Sequence, residues 1–308
     1  MQQIDGRAIA AQIQQEIKEE IERLGITPGL AVILVGNNPA SHLYVSLKEK
    51  AAKEVGIYFE KHLFSGTEPE SEILARIQEL NERDDIHGII VQVPLPPQYS
   101  EDIVISQMDP KKDADGFHQV NLRALLSGEP KIFPAVALAI MALIDEAVQM
   151  IRSAAVHLPL GGAPDAPEQS SVRGRQDLAL QNKKAVLIVN RTEFAAPVEY
   201  LLEERGALVN IMLHKKEMTP DAIAKLRTAD IVVTARGRAN FITGNMVKDG
   251  AIVIDVGTNT LPDGKMVGDV DFQSTGDMQG FITPVPGGVG PMTVAMLLKN
   301  TLELAKIS

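Results

Sequence analysis

The sequence predicts an α/β protein with two domains, each built around a parallel β-sheet, and a cleft between them. Three observations lead to this fold class. Apolar runs of strand length alternate with amphipathic helical stretches over the first 150 residues. Residues 156–176 are rich in Pro, Gly and Ser and show no hydrophobic period. The alternation resumes at Lys184. Strict alternation of this kind favours parallel strands joined by right-handed crossovers.

The first half of the chain contains three predicted strands and five predicted helices. An apolar stripe at every fourth residue from Ile9 to Ile21, ended by Gly25, predicts the first helix. The run LAVILV, ended by Gly36, predicts a buried strand. The strands are expected at 30–35, 57–64 and 88–93, and the helices at 6–24, from about 41 to Gly56, 70–83, 101–108 and 134–152.

The second half predicts a smaller parallel sheet of the Rossmann type. Its strands are expected at 185–189, 207–213, 231–234 and 251–256, and its helices at 197–205, 219–227 and 291–307. We therefore expect a first domain over residues 1–150 onto which the helix 291–308 packs back. Residues 151–180 are expected to be a loop or insertion, and residues 181–285 the Rossmann-like domain.

The amino-acid composition excludes several kinds of function. The net charge of -10 argues against a nucleic-acid-binding surface. The chain has no cysteine, which excludes disulfides, thiolate metal sites and a cysteine nucleophile. The N-terminus lacks the features of a signal peptide, and no apolar run is long enough to span a bilayer. We expect a cytoplasmic protein with neither a nucleic-acid nor a membrane partner, and no metal site is predicted.

One helical stretch suggests acid–base chemistry. Helical spacing places Ser41, Tyr44 and Lys48 on the same face. A tyrosine ring one turn before a lysine offers a stacking surface beside a proton carrier, because burial lowers the pKa of a lysine. A packed ring and a solvated ammonium would give the same pattern.

Two polar residues lie where a ligand of a parallel sheet is expected. Gln92 follows the apolar run GIIV, and Asp115 lies in a loop beside Gly116. Open parallel sheets bind ligands beyond the carboxyl ends of their strands. An amide in such a strand is costly unless it is paired. The alternative for Asp115 is an ordinary turn residue.

The segment 283–293 (TPVPGGVGPMT) predicts a rigid loop before the last helix. Three glycines allow its backbone to approach a ligand closely, and three prolines restrict it. The alternative is an elaborate interdomain turn.

Six motifs, in this order and spacing, resemble the methylenetetrahydrofolate dehydrogenase/cyclohydrolase family, the FolD proteins. They are YVSLKEKAAKEVGI, VQVPLP, KDADGFH, VIDVGTN, GDVDF and TPVPGGVGPMT. The resemblance covers nearly the whole chain outside residues 156–176. It implies an enzyme that oxidises 5,10-methylenetetrahydrofolate with NAD or NADP and then hydrolyses the methenyl form to 10-formyltetrahydrofolate. It also implies a homodimer.

The resemblance assigns roles to individual residues. Tyr44 would stack on the folate ring system, Lys48 would be the acid–base group, and Gln92 would tune it. Asp115 would bind the pterin edge, and the loop Pro286-Gly287-Gly288 would close over the substrate. The residues on the cofactor side are Asn190, Arg191, Thr192, His214, Lys215 and Thr258.

The departures from the family pattern lie mainly on the cofactor side. The family usually carries Gly-Arg-Ser and a second glycine after the first strand of the second domain. This chain has Asn190-Arg191-Thr192 there, with Glu193 following, no glycine and a turn one residue shorter. Glycine allows the backbone to approach dinucleotide phosphates. A Pro-Cys-Thr-Pro segment near the substrate is also lost, since Pro134-Ala135-Val136-Ala137 stands in its place. We therefore expect the cyclohydrolase step to be retained and NAD or NADP binding to be weak or lost.

Two further hypotheses remain open from the sequence. The first is a non-catalytic relative that binds folate or a protein partner. Retention of Lys48 argues against it, since a binding protein needs no proton carrier. The second is an unrelated Rossmann dehydrogenase, which the absence of a G-x-G-x-x-G fingerprint disfavours.

Overall fold

The computed structural model describes residues 1–156, 180–213 and 218–307. The chain divides into two compact units. One, the three-stranded unit, comprises Ala8–Leu138 and Pro291–Ser308. The other, the six-stranded unit, comprises Met1–Arg7 and Ala139–Gly290. Both units contain parallel sheets, and a helix lies between most successive strands, which confirms the predicted α/β class.

The helices and strands alternate along the chain. The α-helices of the described ranges are α1 (Gly6–Leu24), α2 (Pro39–Val55), α3 (Glu70–Asn81), α4 (Glu101–Ser106), α5 (Gln119–Leu126), α6 (Ala135–Val156), α7 (Thr192–Glu203), α8 (Pro220–Leu226) and α9 (Val289–Ile307). The strands are β1 (Gln2–Gln3), β2 (Gly29–Val35), β3 (Tyr58–Phe64), β4 (Gly88–Val91), β5 (Lys184–Val189), β6 (Leu208–Leu213), β7 (Ile231–Ala235), β8 (Ile252–Asp255), β9 (Asn259–Thr260), β10 (Met266–Val267) and β11 (Phe281–Ile282). Most predicted elements are found within a few residues of their expected bounds.

The sheet of the three-stranded unit has the order β3-β2-β4, with all strands parallel. Its central strand β2 is buried along its whole length, as the apolar run predicts. One face of the sheet packs on apolar side chains of α3 and α4, among them Ile73, Ile77 and Val104. This arrangement sets the carboxyl ends of β2 and β4 side by side.

The six-stranded unit has the strand order β1-β11-β8-β7-β5-β6, again parallel throughout. Strand β5 lies between β6 and β7, so the chain leaves β5 in one direction and returns on its other side. This reversal of strand order is the place where doubly wound sheets bind ligands. A short antiparallel hairpin of β9 and β10 follows β8.

The sequence places the helix after β5 at residues 197–205, and this is wrong. The helix begins at Thr192, so Pro197 lies inside it. Proline suggests a helix start because its fixed φ suits the first turn. Here the preceding segment is already helical, and one backbone hydrogen bond is given up at Pro197 instead.

Other elements carry no periodic signal in the sequence and were not predicted. Strands β1, β9, β10 and β11 have two residues each. Helix α5 has eight residues and is capped by the ring of His118, which accepts a hydrogen bond from Val120 N at 3.1 Å. The predicted insertion at 156–176 falls outside the described residues, apart from the backbone of Val156.

A search of the helices in the described ranges finds none whose length and apolar character would suit a membrane span.

Candidate active site

Helix α2 carries the predicted proton carrier and is fixed at both ends. The Asn38 side chain caps its first turn by accepting hydrogen bonds from the backbone of Ala40 and Ser41, at 2.9 and 3.2 Å. Gly56 ends it in the left-handed conformation, with φ of 87°. Lys48 lies on the buried face of the helix. Tyr44, one turn earlier, is half-buried.

The Lys48 ammonium has a single, well-defined amide partner. Its Nζ donates to Gln92 Oε1 at 2.9 Å, and both side chains are buried. The Gln92 amide nitrogen donates to the carbonyl of Val93 at 2.7 Å. Because that bond occupies the nitrogen, the amide oxygen faces the lysine. The costly amide predicted at the strand end is therefore paired.

The half-buried Asp115 interacts electrostatically with the buried Lys48. Burial raises the pKa of Asp115, an effect that the charge of Lys48 opposes and that of Asp113 reinforces. Burial lowers the pKa of Lys48, and the charge of Asp115 opposes that shift. Both shifts favour the neutral forms, so the pair can hold or release a proton at lower cost than free side chains. This is the property that acid–base catalysis requires.

The loop that presents Asp115 is held by its neighbour Asp113, which the sequence reasoning missed. Asp113 is buried and accepts hydrogen bonds from Gly116 N, His118 N and Asn121 Nδ2, at 2.9, 2.8 and 2.9 Å. An isolated bridge pairs Asp113 with Ile89 of β4. The loop is thus attached to the strand that leads to Gln92. The two aspartates of KDADGFH look alike in sequence, and nothing there shows which of them holds the loop together.

Further contacts of the same loop leave little freedom to Asp115. Its carbonyl accepts from Ala135 N at 3.1 Å, and Asn300 Nδ2 of α9 donates to the carbonyl of Ala114 at 2.9 Å. Gly116 has φ of 81°, and a Cβ there would meet Pro134 N at 2.6 Å. The side chains of Tyr44, Lys48, Gln92 and Asp115 therefore rest on a rigid frame within one unit.

The other predicted residues with described positions belong to the six-stranded unit. Arg191 precedes the first residue of α7, Thr192, without making a side-chain cap, and Glu193 adds an acid to the first turn. Asn190 Nδ2 lies 3.5 Å from the carbonyl of Arg236. Thr258 is exposed in the turn between β8 and β9. His214 and Lys215 lie outside the described residues.

The Pro286-Gly287-Gly288 loop is tightly packed inside its unit. A Cβ on Gly6 would meet the carbonyl oxygen of Gly288 at 2.2 Å, and a Cβ on Gly288 would meet Thr283 Cβ at 2.6 Å. Gly287 has φ of 117°, a conformation that favours glycine. The glycines of this motif thus allow two backbone segments to touch.

Comparison with known proteins agrees with the motifs. Two family models match: the tetrahydrofolate dehydrogenase/cyclohydrolase catalytic domain over residues 4–115 and the NAD(P)-binding domain of the same family over residues 171–308. The bifunctional protein FolD of Moorella thermoacetica is 42% identical over 306 residues, covering 98% of both chains. That of Magnetococcus marinus is 42% identical over 307 residues, covering 98% of this chain and 96% of its own.

Solved structures of this kind are also similar along the whole chain. The bifunctional enzyme FolD from Campylobacter jejuni superposes with a TM-score of 0.83 at 38% identity, covering 100% of this chain and 99% of its own. The Trypanosoma brucei enzyme, solved with NADP cofactor and an inhibitor, gives 0.81 at 35% identity, with 99% and 97% covered. The chain therefore belongs to the tetrahydrofolate dehydrogenase/cyclohydrolase family, as its six motifs predicted.

Proposed function

We propose that this chain hydrolyses 5,10-methenyltetrahydrofolate to 10-formyltetrahydrofolate, with Lys48 as the proton carrier. The observation that supports this most strongly is the buried hydrogen bond of 2.9 Å from Lys48 Nζ to Gln92 Oε1. A lysine that only contributed charge to the surface would not be buried against an amide. A non-catalytic binding protein would not need a buried lysine that is held by an amide.

Each residue has a definite part in the reaction. Water adds to the methenyl carbon, and neutral Lys48 takes one of its protons. When the bond from that carbon to N5 breaks, Lys48 returns the proton to N5 and the remaining hydroxyl proton goes to solvent. Gln92 orients the amine, and Asp115 binds donor groups at the pterin edge. Tyr44 stacks on the ring system. The net result is one water consumed and one proton released.

Residues 171–308 match the NAD(P)-binding domain of the family, and this range includes most of the six-stranded unit. A bound NAD or NADP would accept the hydride when the methylene form is oxidised. The parallel sheet and its reversal beside β5 fit such a dinucleotide, and the buried Arg236 Nε, which has no hydrogen-bond partner among the described residues, suits a phosphate. Asn190, Arg191, Thr192 and Thr258 would lie around it.

We propose that this oxidation is weak. The turn from Asn190 to Thr192 has no glycine to let the backbone approach a phosphate, and Glu193 adds negative charge in the first turn of α7. Loss of two charge-assisted hydrogen bonds, each about 1.5–3 kcal/mol, would weaken binding by roughly two to four orders of magnitude. Hydrolysis uses no dinucleotide phosphate and is unaffected.

Two assays on one preparation of the wild-type chain test this proposal. Loss of methenyltetrahydrofolate absorbance should be fast in the absence of nucleotide. Formation of NADH or NADPH from the methylene form should be slower by at least about a hundredfold at equal enzyme concentration. Comparable rates would contradict the proposed weakness of the oxidation, and absence of hydrolysis would refute the cyclohydrolase assignment.

A further inference from the structure

Two arginines and one phenylalanine form an unusual group directly after β7. The guanidinium carbons of Arg236 and Arg238 lie 5.5 and 5.1 Å from the centroid of the Phe241 ring. In the parts of the chain that the structure describes, neither arginine forms an ion pair. Arg236 Nε is buried and lacks a hydrogen-bond partner. Two positively charged side chains therefore lie against the Phe241 ring, and one of them has a buried N–H group without a partner. Such an arrangement can accommodate an anion.

The group lies at the edge of the sheet where a ligand is expected. Ala235, the last residue of β7, is in register with Val189, the last residue of β5. Arg236 and Asn190 therefore leave the sheet at the same level, and the Asn190 amide lies 3.5 Å from the Arg236 carbonyl. The carboxyl edge of an open parallel sheet, next to its reversal of strand order, is where such folds bind nucleotides.

The backbone of the same loop is already occupied by a carboxylate of the protein. Asp269 is fully buried and accepts hydrogen bonds from the backbone of Arg236, Gly237 and Arg238, at 2.5, 3.2 and 2.8 Å. It also accepts from Thr234 Oγ1 at 3.1 Å. These three N–H groups are therefore not available to an external phosphate, which must be bound by side chains.

A second buried carboxylate holds Asp269 in place. Asp255, at the end of β8, accepts from the backbone of Asp269 and Val270, at 3.0 and 2.8 Å. A Cβ on Gly268 would lie 2.0 Å from Asp255 Oδ2, and one on Gly257 would lie 2.3 Å from Asp269 Oδ1. The backbone that carries both arginines is thus rigid, which lowers the entropic cost of binding an anion.

We propose that Arg236 and Arg238 bind a phosphate group of the dinucleotide by side-chain charge, and so supply the affinity that remains without the backbone donors that the turn at Asn190 lacks. The proposal rests on the NAD(P)-binding role proposed above for this unit. Guanidinium groups bind phosphate in bidentate fashion through charge-assisted hydrogen bonds. Because Arg238 is exposed, part of this binding should weaken as the salt concentration rises.

Calorimetric titration of the full chain with NADP and with NAD tests this directly. The variants are Arg236→Gln, Arg238→Gln and the double substitution. Arg227→Gln is the matched control, since Arg227 is an exposed arginine of the same unit that bonds the carbonyl of Asn245 at 3.0 Å. We expect each single substitution to raise the Kd for NADP about tenfold and the double about a hundredfold, with the control within twofold. Methenyltetrahydrofolate hydrolysis by every variant should match the wild type.

The two ligands identify which phosphate is bound. Equal losses for NAD and NADP would place the diphosphate between the arginines, whereas a loss for NADP alone would place the 2'-phosphate there; both outcomes support the site. Unchanged affinity in the double variant would overturn the proposal, as would a wild type that binds neither dinucleotide. Failure of the wild type to hydrolyse the methenyl form would refute the Lys48 assignment instead, and the titration would still decide on the arginines.

Discussion

At the scale of single residues, the hydrolysis that we propose depends on the proton affinity of Lys48. Burial lowers the pKa of its ammonium, and the charge of Asp115 opposes that shift. The ammonium donates to the oxygen of Gln92 at 2.9 Å. Only the neutral amine can take a proton from water. Hydrolysis should therefore increase with pH through the lowered pKa of Lys48, well below the pH at which a free lysine deprotonates.

Substitution of Gln92 should move that titration in a predictable direction. Gln92→Glu places a carboxylate against the ammonium, which raises the pKa of Lys48, so the midpoint of kcat/KM against pH should move upward by about one unit. Gln92→Leu removes the acceptor and should move it downward. Gln98→Glu, at an exposed glutamine outside this pair, is the control. If Gln92→Glu does not change the midpoint of kcat/KM against pH, Gln92 does not influence the titration of Lys48.

A partner for Gln92 could be predicted, because an amide at the end of an apolar strand is costly unless it is paired. That this partner is Lys48 was implied only by the family resemblance, since the helical spacing alone fits a solvated ammonium equally well. Asp113 could not be predicted, because its role depends on three donors that only the folded loop brings together. Arg236 and Arg238 were not assigned to a phosphate either, since stacking on Phe241 requires the turn after β7.

At the scale of elements, the loop from Asp113 to His118 decides where the Asp115 carboxylate lies. Gly116 and Gly128 both have positive φ, of 81° and 77°. A Cβ on Gly116 would meet Pro134 N at 2.6 Å, whereas a Cβ on Gly128 would meet nothing within 4 Å. Alanine substitutions at these two glycines therefore distinguish the cost of a left-handed backbone conformation from the cost of a steric clash.

We expect Gly128→Ala to lower the free energy of unfolding by about 1–2 kcal/mol, the cost of a left-handed alanine. Gly116→Ala should lower it by at least about 2 kcal/mol more, since the clash involves backbone that cannot yield easily. It should also raise the KM for the methenyl substrate, because Asp115 is displaced. Urea unfolding of both variants measures the difference, and equal losses would show that the loop adjusts freely.

The long elements could be predicted from hydrophobic period alone, as α1 and β2 show. Their bounds agree with the apolar stripe and the apolar run to within a residue. Helix α7 could not be placed correctly, because Pro197 suggests a start that the tertiary structure overrides. Two-residue strands such as β1 are defined by their partner in the sheet and not by their own sequence.

At the scale of the whole molecule, the homodimer implied by the family resemblance stays a prediction. Among the described residues of the six-stranded sheet, β6 pairs only with β5, and its Leu208 and Leu213 side chains are more than half exposed. An apolar edge strand of this kind favours association with another chain. We expect light scattering at micromolar concentration to give twice the mass of one chain.

Substitution of an exposed leucine of β6 tests whether this edge strand forms the dimer interface. Leu213→Glu should shift the mass toward that of a single chain, and Ile307→Glu, at an exposed apolar residue near the end of α9, should not. A wild type that is monomeric at micromolar concentration would contradict the prediction.

Two lysine-to-methionine variants show whether Lys48 carries the proton in the hydrolysis of methenyltetrahydrofolate. Lys48→Met removes the amine at a buried position, and Lys50→Met makes the same change two residues later, where the side chain is 75% exposed. With nucleotide absent, Lys48→Met should reduce kcat at least about a hundredfold, the usual contribution of a positioned acid–base group, while thermal unfolding stays cooperative. Lys50→Met should hydrolyse the substrate as the wild type does. A folded Lys48→Met variant that hydrolyses the substrate at the wild-type rate would show that Lys48 is not the proton carrier.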